Sequence, residues 1–414
     1  MPNLRLITRT KKIFSYKKWF RREVTELDVI TRFFKINGLF PCTVDTSISV
    51  NVFPSRLCVF YHIALIGILG YCNFYVGIPA IIQDKMASGG LKLPSILELI
   101  YIGSSTAITF LIWIVYITFC TKLTIFGKRV AEADAIARKF GTNYQLESVR
   151  KQWIMLFITY VILFSFLTFT ESLFYSDNVT SRFVWLCMQT VPSIIIILFL
   201  TQYYLVVQLA KRRMKALNKI ILRNHDKTAV HNRNSTNDAI TEAFESWKKA
   251  HNELYEACVV IAEFYSFPML FVMGLECYGV ICGSFYSLKY LRSGVHQAQM
   301  LLHLLYNLIF IFNFTIPIVL LMSEIDDLLS EVKEKAVVCR QLTFRFRKHR
   351  PLLRQIKMYL YELVHENINF TAFGFFQLNR TVLHSMFATT VTYLVILYQY
   401  SNRRDEDGSN TSGN

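Results

Sequence analysis

The sequence predicts an all-α integral membrane protein with seven transmembrane helices, its N-terminus in the cytoplasm and its C-terminus outside the cell. Three observations carry that prediction: an apolar composition, seven apolar runs of bilayer length, and an alternation of positive charge between them. Of the 414 residues, 53% are apolar, 15% aromatic and only 18% charged, whereas soluble domains carry about 25% charged residues. The surplus apolar surface needs a solvent other than water, and membrane lipid is the expected one.

A bilayer core takes roughly 20 apolar residues per helix. Residues 1–56 form a basic segment with no short apolar core before a small-residue cleavage site, so no signal peptide is expected. Runs at 57–82, 95–120, 152–174 and 183–209 make the first four spans, grouped as a ligand-binding bundle over 57–209. After a polar stretch at 210–257, runs at 258–288 and 298–322 make the fifth and sixth spans. A second polar stretch, 323–376, precedes the seventh run at 377–400, and 401–414 is left as a tail. Prolines at 79, 192, 268 and 317 fall inside these runs, where neighbouring helices can satisfy the backbone groups they free.

Lys and Arg number 11 in 1–56, 7 in 121–151, 10 in 210–257 and 9 in 323–376. The alternate segments hold 2 in 83–94, 1 in 175–182, 2 in 289–297 and 2 in 401–414. Basic loops stay in the cytoplasm, so the N-terminus is inside and seven crossings put the C-terminus outside. The net charge of +16 is therefore a topology signal, and nucleic acid is excluded as a partner. This orientation is opposite to that of a G-protein-coupled receptor, and neither an NPxxY nor a DRY-like triplet is present. Sequons at Asn178 and Asn410 fall in outside segments and are the glycosylation candidates; those at Asn234 and Asn369 fall inside. The nine cysteines show no metal-ligand spacing, and no metal or cofactor is expected.

The inner segments carry helical stripes. Ile240, Phe244, Trp247, His251, Leu254 and Cys258 recur at steps of three and four and lead into the fifth span. Ile325, Leu328, Leu329, Val332, Ala336 and Cys339 continue the sixth. Leu352, Leu353, Ile356, Leu360 and Leu363 follow Pro351, a favourable first-turn residue. Such stripes pack within one chain or form a shared anchor that joins several subunits.

Residues 369–400 hold the most specific signal. Thr392-Tyr393 is followed by five mostly apolar residues, then Gln399 and Tyr400; Thr371 to Phe376 and Leu378-Asn379 precede them. This resembles the C-terminal signature of insect gustatory receptors, with Tyr400 in place of the usual Phe, Phe373 where Cys is common and Asn379 where Asp is common. The detailed resemblance covers about the last 35 residues; the remainder is similar in architecture. It implies a ligand-gated, non-selective cation channel of taste neurons, a homotetramer or a hetero-assembly with other gustatory receptors, whose last helix lines a central pore.

Helical periodicity agrees with that role. Ser385, Ala388, Thr389, Thr392 and Gln399 share one face, with Val395 and Ile396 between the last two. Small and hydroxylated residues also mediate helix packing in membranes. Around an axis, however, the face would form a polar ring above an aliphatic constriction able to close by dewetting. Gln399, Ile396, Thr392, Val395 and Ala388 are the pore candidates, Gln399 by the resemblance. The face carries no acid, so cation preference is implied by the resemblance alone. Arg380, at the inner end of this helix, is expected to snorkel or to pair with an acid.

Ligand recognition is expected in the outer halves of the earlier spans, at Glu171, Trp185, Gln189, Glu276, Tyr286, His303, Asn307 and Phe310. Ionisable residues within spans point to function, and His303 and Asn307 share a helix face. Leu394 stands where sugar receptors of the family carry an acid, so a bitter-type or contact-chemosensory tastant is favoured over common sugars. The competing readings are an odorant-receptor-type channel subunit, a metabotropic receptor and a membrane enzyme. The last lacks a catalytic cluster, since His365-Glu366-Asn367-Ile368-Asn369 has no second His of a zinc-binding HExxH.

Overall fold

The computed structural model describes residues 32–40, 42–45, 51–54, 56–87, 93–139, 146–174, 186–228, 236–292, 297–347 and 349–411. A helical turn at 32–36 precedes a hairpin of β1 (Cys42–Asp45) and β2 (Asn51–Pro54), paired antiparallel with Cys42 opposite Pro54. The helices are α1 (Arg56–Gly70), α2 (Ile78–Ala87), α3 (Leu93–Thr118), α4 (Cys120–Lys139), α5 (Leu146–Phe174), α6 (Val191–Thr228), α7 (Thr236–Arg292), α8 (Gln297–Arg345), α9 (Arg350–Val364) and α10 (Arg380–Thr411). A second small hairpin, β3 (Thr371–Ala372) with β4 (Phe376–Gln377), lies between α9 and α10.

Among the described residues, seven helical stretches are long and apolar enough to cross a membrane. They are Val59–Gln83, Leu93–Thr118, Lys151–Thr170, Met188–Ile221, Ile240–Leu291, Gln299–Arg345 and Arg380–Gln399, and each coincides with or contains the core of an expected run. The fifth and sixth continue well past bilayer length. A 57-residue α7 measures about 86 Å at 1.5 Å per residue, over twice the hydrocarbon thickness. The expected amphipathic stretches at 240–258 and 325–339 are thus continuous with α7 and α8. Their stripe residues Phe244, Trp247, His251, Leu254, Ile325, Leu328 and Cys339 are buried in the core of the single chain. The end of the bundle formed by these extensions and α9 is called here the basic end.

Pro79 and Pro192 each follow a π-helical turn, at Tyr71–Gly77 and Leu186–Thr190. A wider turn accommodates the ring where the regular ladder cannot. The two turns meet through Gly77, where a Cβ would lie 1.8 Å from Met188 Sδ. Only glycine allows that approach.

The turn at 36–39 is held by an unusual set of bonds. Gly38 closes the 32–36 helix at φ +74, the left-handed conformation glycine adopts without cost. The four carbonyls that follow each accept from a different side chain. Ile36 O accepts from Tyr61 Oη (2.7 Å), Asn37 O from Trp113 Nε1 (3.3 Å) and Leu39 O from Gln202 Nε2 (3.0 Å). Gly38 O pairs with His62 Nε2 at 2.7 Å. Gln202 also accepts from the buried Tyr116 hydroxyl. A non-helical turn inside a bundle of membrane helices needs its backbone groups satisfied by protein, and α1, α3 and α6 supply the partners.

Candidate functional site

The last span is attached by one face. Along α10, Val382, Leu383 and Met386 pack on the main core, and Leu394 and Leu397 on a small cluster of Leu97, Cys282 and Phe285. The opposite face carries Ala388, Thr392, Val395, Ile396 and Gln399, all exposed. None of this span is buried within the chain, against 17 to 78% of each of the other six. The Thr392 hydroxyl donates to Ala388 O at 3.0 Å, while Gln399, like Ser385 and Thr389, presents its polar group on the exposed side. Tyr393 of the motif is exposed in the single chain; the side chains of Tyr400 and Asn410 lie outside the described residues.

Local chemistry sets the start of α10. Asn379 Oδ1 accepts from the backbone N–H of Thr381 (3.1 Å) and Val382 (3.3 Å), a side-chain cap on the first turn. The helix therefore opens at Arg380, three residues inside the run expected from apolarity, and runs on through Thr411. Gln377, the first residue of that run, belongs with Phe376 to strand β4. The β3–β4 turn places Phe373 at φ 51 and Gly374 at φ 79. It is tied to α7 by Phe373 N donating to Ser266 Oγ (2.8 Å) and by the edge-on rings of Phe267 and Phe373.

At the foot of α10, Arg380 pairs with acids, one of the two outcomes expected. Its Nη2 donates to Asp327 Oδ1 (3.0 Å) and Ser323 Oγ (2.8 Å), and its backbone N–H to Asp326 Oδ2 (3.0 Å), all on α8. Asp327 also takes Lys211 of α6 at 3.2 Å, and Lys211 reaches Glu324 at 2.6 Å. Sequence reasoning missed these acids. The only hint was the Ser-Glu-Ile-Asp-Asp run just beyond the sixth span.

Beyond the spans, α7, α8 and α9 enclose a buried cation. Lys335, 1% exposed, pairs with Glu366 at 2.5 Å and lies over the rings of Tyr255 and Tyr359. Tyr359 donates to Asn252 Oδ1 (3.0 Å), and burial, reinforced by the charge of Glu366, holds its hydroxyl well above the usual tyrosine range. One side of α9 buries Leu352, Ile356 and Tyr359, while Met358, Tyr361 and Val364 on the other side are exposed. Helix α9 thus buries its apolar face within the chain, and its exposed side mixes these three with Arg354 and Lys357.

Of the expected ligand residues, Tyr286, His303, Asn307 and Phe310 fall where α3, α7 and α8 meet. Tyr286 donates to Pro94 O at 2.7 Å, and His303 stacks on Tyr290 at 4.0 Å. Phe310 meets Tyr101 edge-on at 5.7 Å, and Asn307 is buried. Gln189 stands apart, half-buried in the second π-helical turn. Trp185, Asn178 and the side chain of Glu171 lie outside the described residues. Glu276 is 2% exposed and both its carboxylate oxygens lack hydrogen-bond partners among the described residues. The amide of Asn313 on α8 is in the same condition, a buried polar group that sequence reasoning passed over. Among the described residues no group of three or more His, Cys, Asp or Glu is placed to hold a metal.

These features define a seven-span, all-helical membrane protein with polar groups enclosed in its bundle. The model of the 7tm chemosensory receptor family matches residues 27–402, and the chain belongs to that family. Gustatory receptor 68a of Drosophila melanogaster is 31% identical over 91 residues, 22% of this chain and 23% of that one. Two further chains of that fly carrying the gustatory-receptor name match over 59 and 184 residues, 14% and 39% of their lengths. The alignments thus span well under half of each relative. Together with the family match, they bear out the resemblance to insect gustatory receptors. The fold is similar to that of the insect olfactory receptor OR5 from Machilis hrabei, with a TM-score of 0.60 at 13% identity over 94% of this chain and 99% of that one. The same receptor in complex with eugenol gives 0.60 at 14% identity, over 93% and 98%.

Proposed function

We propose that this chain is a gustatory receptor acting as a ligand-gated, non-selective cation channel in the plasma membrane of chemosensory neurons. The N-terminus and the basic end lie in the cytoplasm and the C-terminus outside. Four copies surround a pore lined by α10, with Gln399 at its outer end and Val395 and Ile396 as the aliphatic constriction. The observation that carries this reading is the bare face of α10, which coincides with the motif positions Thr392 and Gln399. An amide held in hydrocarbon without a partner is costly, whereas a ring of amides around water is satisfied. The exposed Met358, Tyr361 and Val364 of α9 support a shared anchor between copies at the basic end.

A small bitter-type or contact-chemosensory molecule binds among α3, α7 and α8 near Tyr286, His303, Asn307 and Phe310. The eugenol complex of the olfactory receptor supports small-molecule binding in this fold. Opening a pore from 1:99 to 99:1 takes about 5.5 kcal/mol of differential affinity, so four sites of about 1.4 kcal/mol each suffice.

The test is whole-cell recording from non-insect cells expressing the chain alone, with G-protein signalling blocked, during application of bitter compounds, sugars and cuticular compounds. A ligand-evoked cation current whose conductance or ion preference changes in Gln399→Ala is the expected result. A current in which Gln399→Ala leaves both unchanged, at equal surface expression, removes α10 from the pore.

A further inference from the structure

A cavity of about 690 Å³ opens between α5 and α6, away from α3, α7 and the end of α10. Its walls are Phe157, Val161, Phe164 and Phe169 on α5 and Ile194 and Leu198 on α6. The lining runs along α5 from Trp153 to Phe169, about 24 Å of helix and most of the roughly 30 Å hydrocarbon core. The membrane side is open, since Ile158, Val161, Ile162 and Phe169 are exposed.

Its polar groups make few demands on an occupant. Ser165 Oγ donates to Val161 O, Thr168 Oγ1 to Phe164 O, Thr201 Oγ1 to Ile197 O and Asn37 Nδ2 to Phe33 O, at 2.7 to 2.9 Å. Hydroxyls that bond their own helix leave a wall suited to hydrocarbon. At the basic end Trp153 stacks on Phe157, and Phe33 stands edge-on to both rings, the kind of aromatic closure found at a membrane–water interface. Just beyond it Lys151 is exposed and forms no ion pair among the described residues. Beside it, Gln152 accepts from Arg212 (2.7 Å) and Gln208 (2.8 Å).

We infer that the α5–α6 groove is a binding site for one acyl chain of an anionic phospholipid, its head group seated beside Lys151 and the Gln152–Arg212 pair. The length of the groove fits a single extended chain. The self-satisfied hydroxyls fit an occupant without hydrogen-bonding groups along that length, and the cationic end fits a negative head.

The full chain is reconstituted in phosphatidylcholine vesicles containing phosphatidylserine with a diazirine midway along one acyl chain, then illuminated, and its adducts are mapped by peptide mass spectrometry. Adducts concentrate on 157–169 and 191–198, and Ile194→Trp lowers them to the level found on the exposed face of α1. Lys151→Gln lowers the preference for phosphatidylserine over labelled phosphatidylcholine about fivefold, the worth of one basic residue at an anionic surface. Val161→Trp, from the opposite wall, serves if Ile194→Trp fails to fold. Adducts spread evenly over the lipid-facing helices overturn the site. Equal labelling by both phospholipids overturns the head-group assignment, and labelling by a diazirine fatty acid but not by phospholipid overturns the occupant.

Discussion

Arg380 Nη2 donates to Asp327 Oδ1 at 3.0 Å, tying the first residue of the last span to α8. The other oxygen of Asp327 receives Lys211 at 3.2 Å, so one carboxylate joins α6, α8 and α10 at the basic end of the bundle. In the proposed channel it is a polar link between the ligand-binding helices and the pore helix.

Asp327→Asn weakens this junction. Both Arg380 and Asp327 are about half exposed, and exposed ion pairs contribute only about 0.2–1 kcal/mol. The ligand concentration for half-maximal current therefore rises by no more than about fivefold. Arg380→Gln, which removes the same contact from the other helix, shifts the response in the same direction. Dose–response recordings at matched surface expression check both, and a null effect of Asp327→Asn detaches the junction from gating.

Asn307→Ala removes a buried amide one turn from His303 and beside Phe310. Loss of one hydrogen bond to ligand is worth about 0.5–1.5 kcal/mol, a two- to tenfold rise in the half-maximal concentration. Surface biotinylation stays at the parental level. An unchanged dose response moves the ligand away from the junction of α3, α7 and α8.

Lys335→Met leaves Glu366 without its partner in a site only 20% exposed. Removing one member of a buried pair costs about 3 kcal/mol or more. The detergent-solubilised receptor then melts at lower temperature and its assembly dissociates more readily, both read by size-exclusion chromatography after heating. Adding Glu366→Gln recovers part of the loss. A single variant as stable as the parent contradicts the assigned weight of this pair.

Gln202→Leu strands Leu39 O and the Tyr116 hydroxyl inside the bundle. An unsatisfied buried group costs about 1–3 kcal/mol, so the melting temperature falls while the oligomer, once formed, keeps its size. Gln202→Glu keeps an acceptor for Tyr116 but not a donor for Leu39 O, and lies between the two.

The spans were legible because a membrane helix needs an apolar run that few other structures require, and positive charge marked the ends. The stripes of α7, α8 and α9 were legible for a similar reason, since Trp247, Ile325 and Ile356 keep helical spacing. The bonds that fix the 36–39 turn were not. They run from side chains to backbone across up to 163 residues, and Gln202 in an apolar run reveals neither its partner nor its direction. The bare face of α10 could be read from Ala388, Thr392 and Gln399 by spacing. The Arg380 contacts with Asp326 and Asp327 could be anticipated only in kind, because the acids sit on a separate helix. The β3–β4 hairpin escaped because strands of two residues carry no readable alternation, and only the cap at Asn379 shows where the next helix starts.

Pro268 breaks the ladder of α7 near its middle, leaving the Phe264 carbonyl without its helical donor. The hairpin leading to α10 is fastened at Ser266 and Phe267, beside that break. A long rod that pivots at such a point moves its two tips most and the fulcrum least. What the fulcrum does transmit is rotation. In the proposed channel, tilting of α7 by events near Tyr286 would therefore reach α10 as a twist about its own foot, turning Thr392 and Gln399 toward or away from the axis without dragging the helix sideways through lipid.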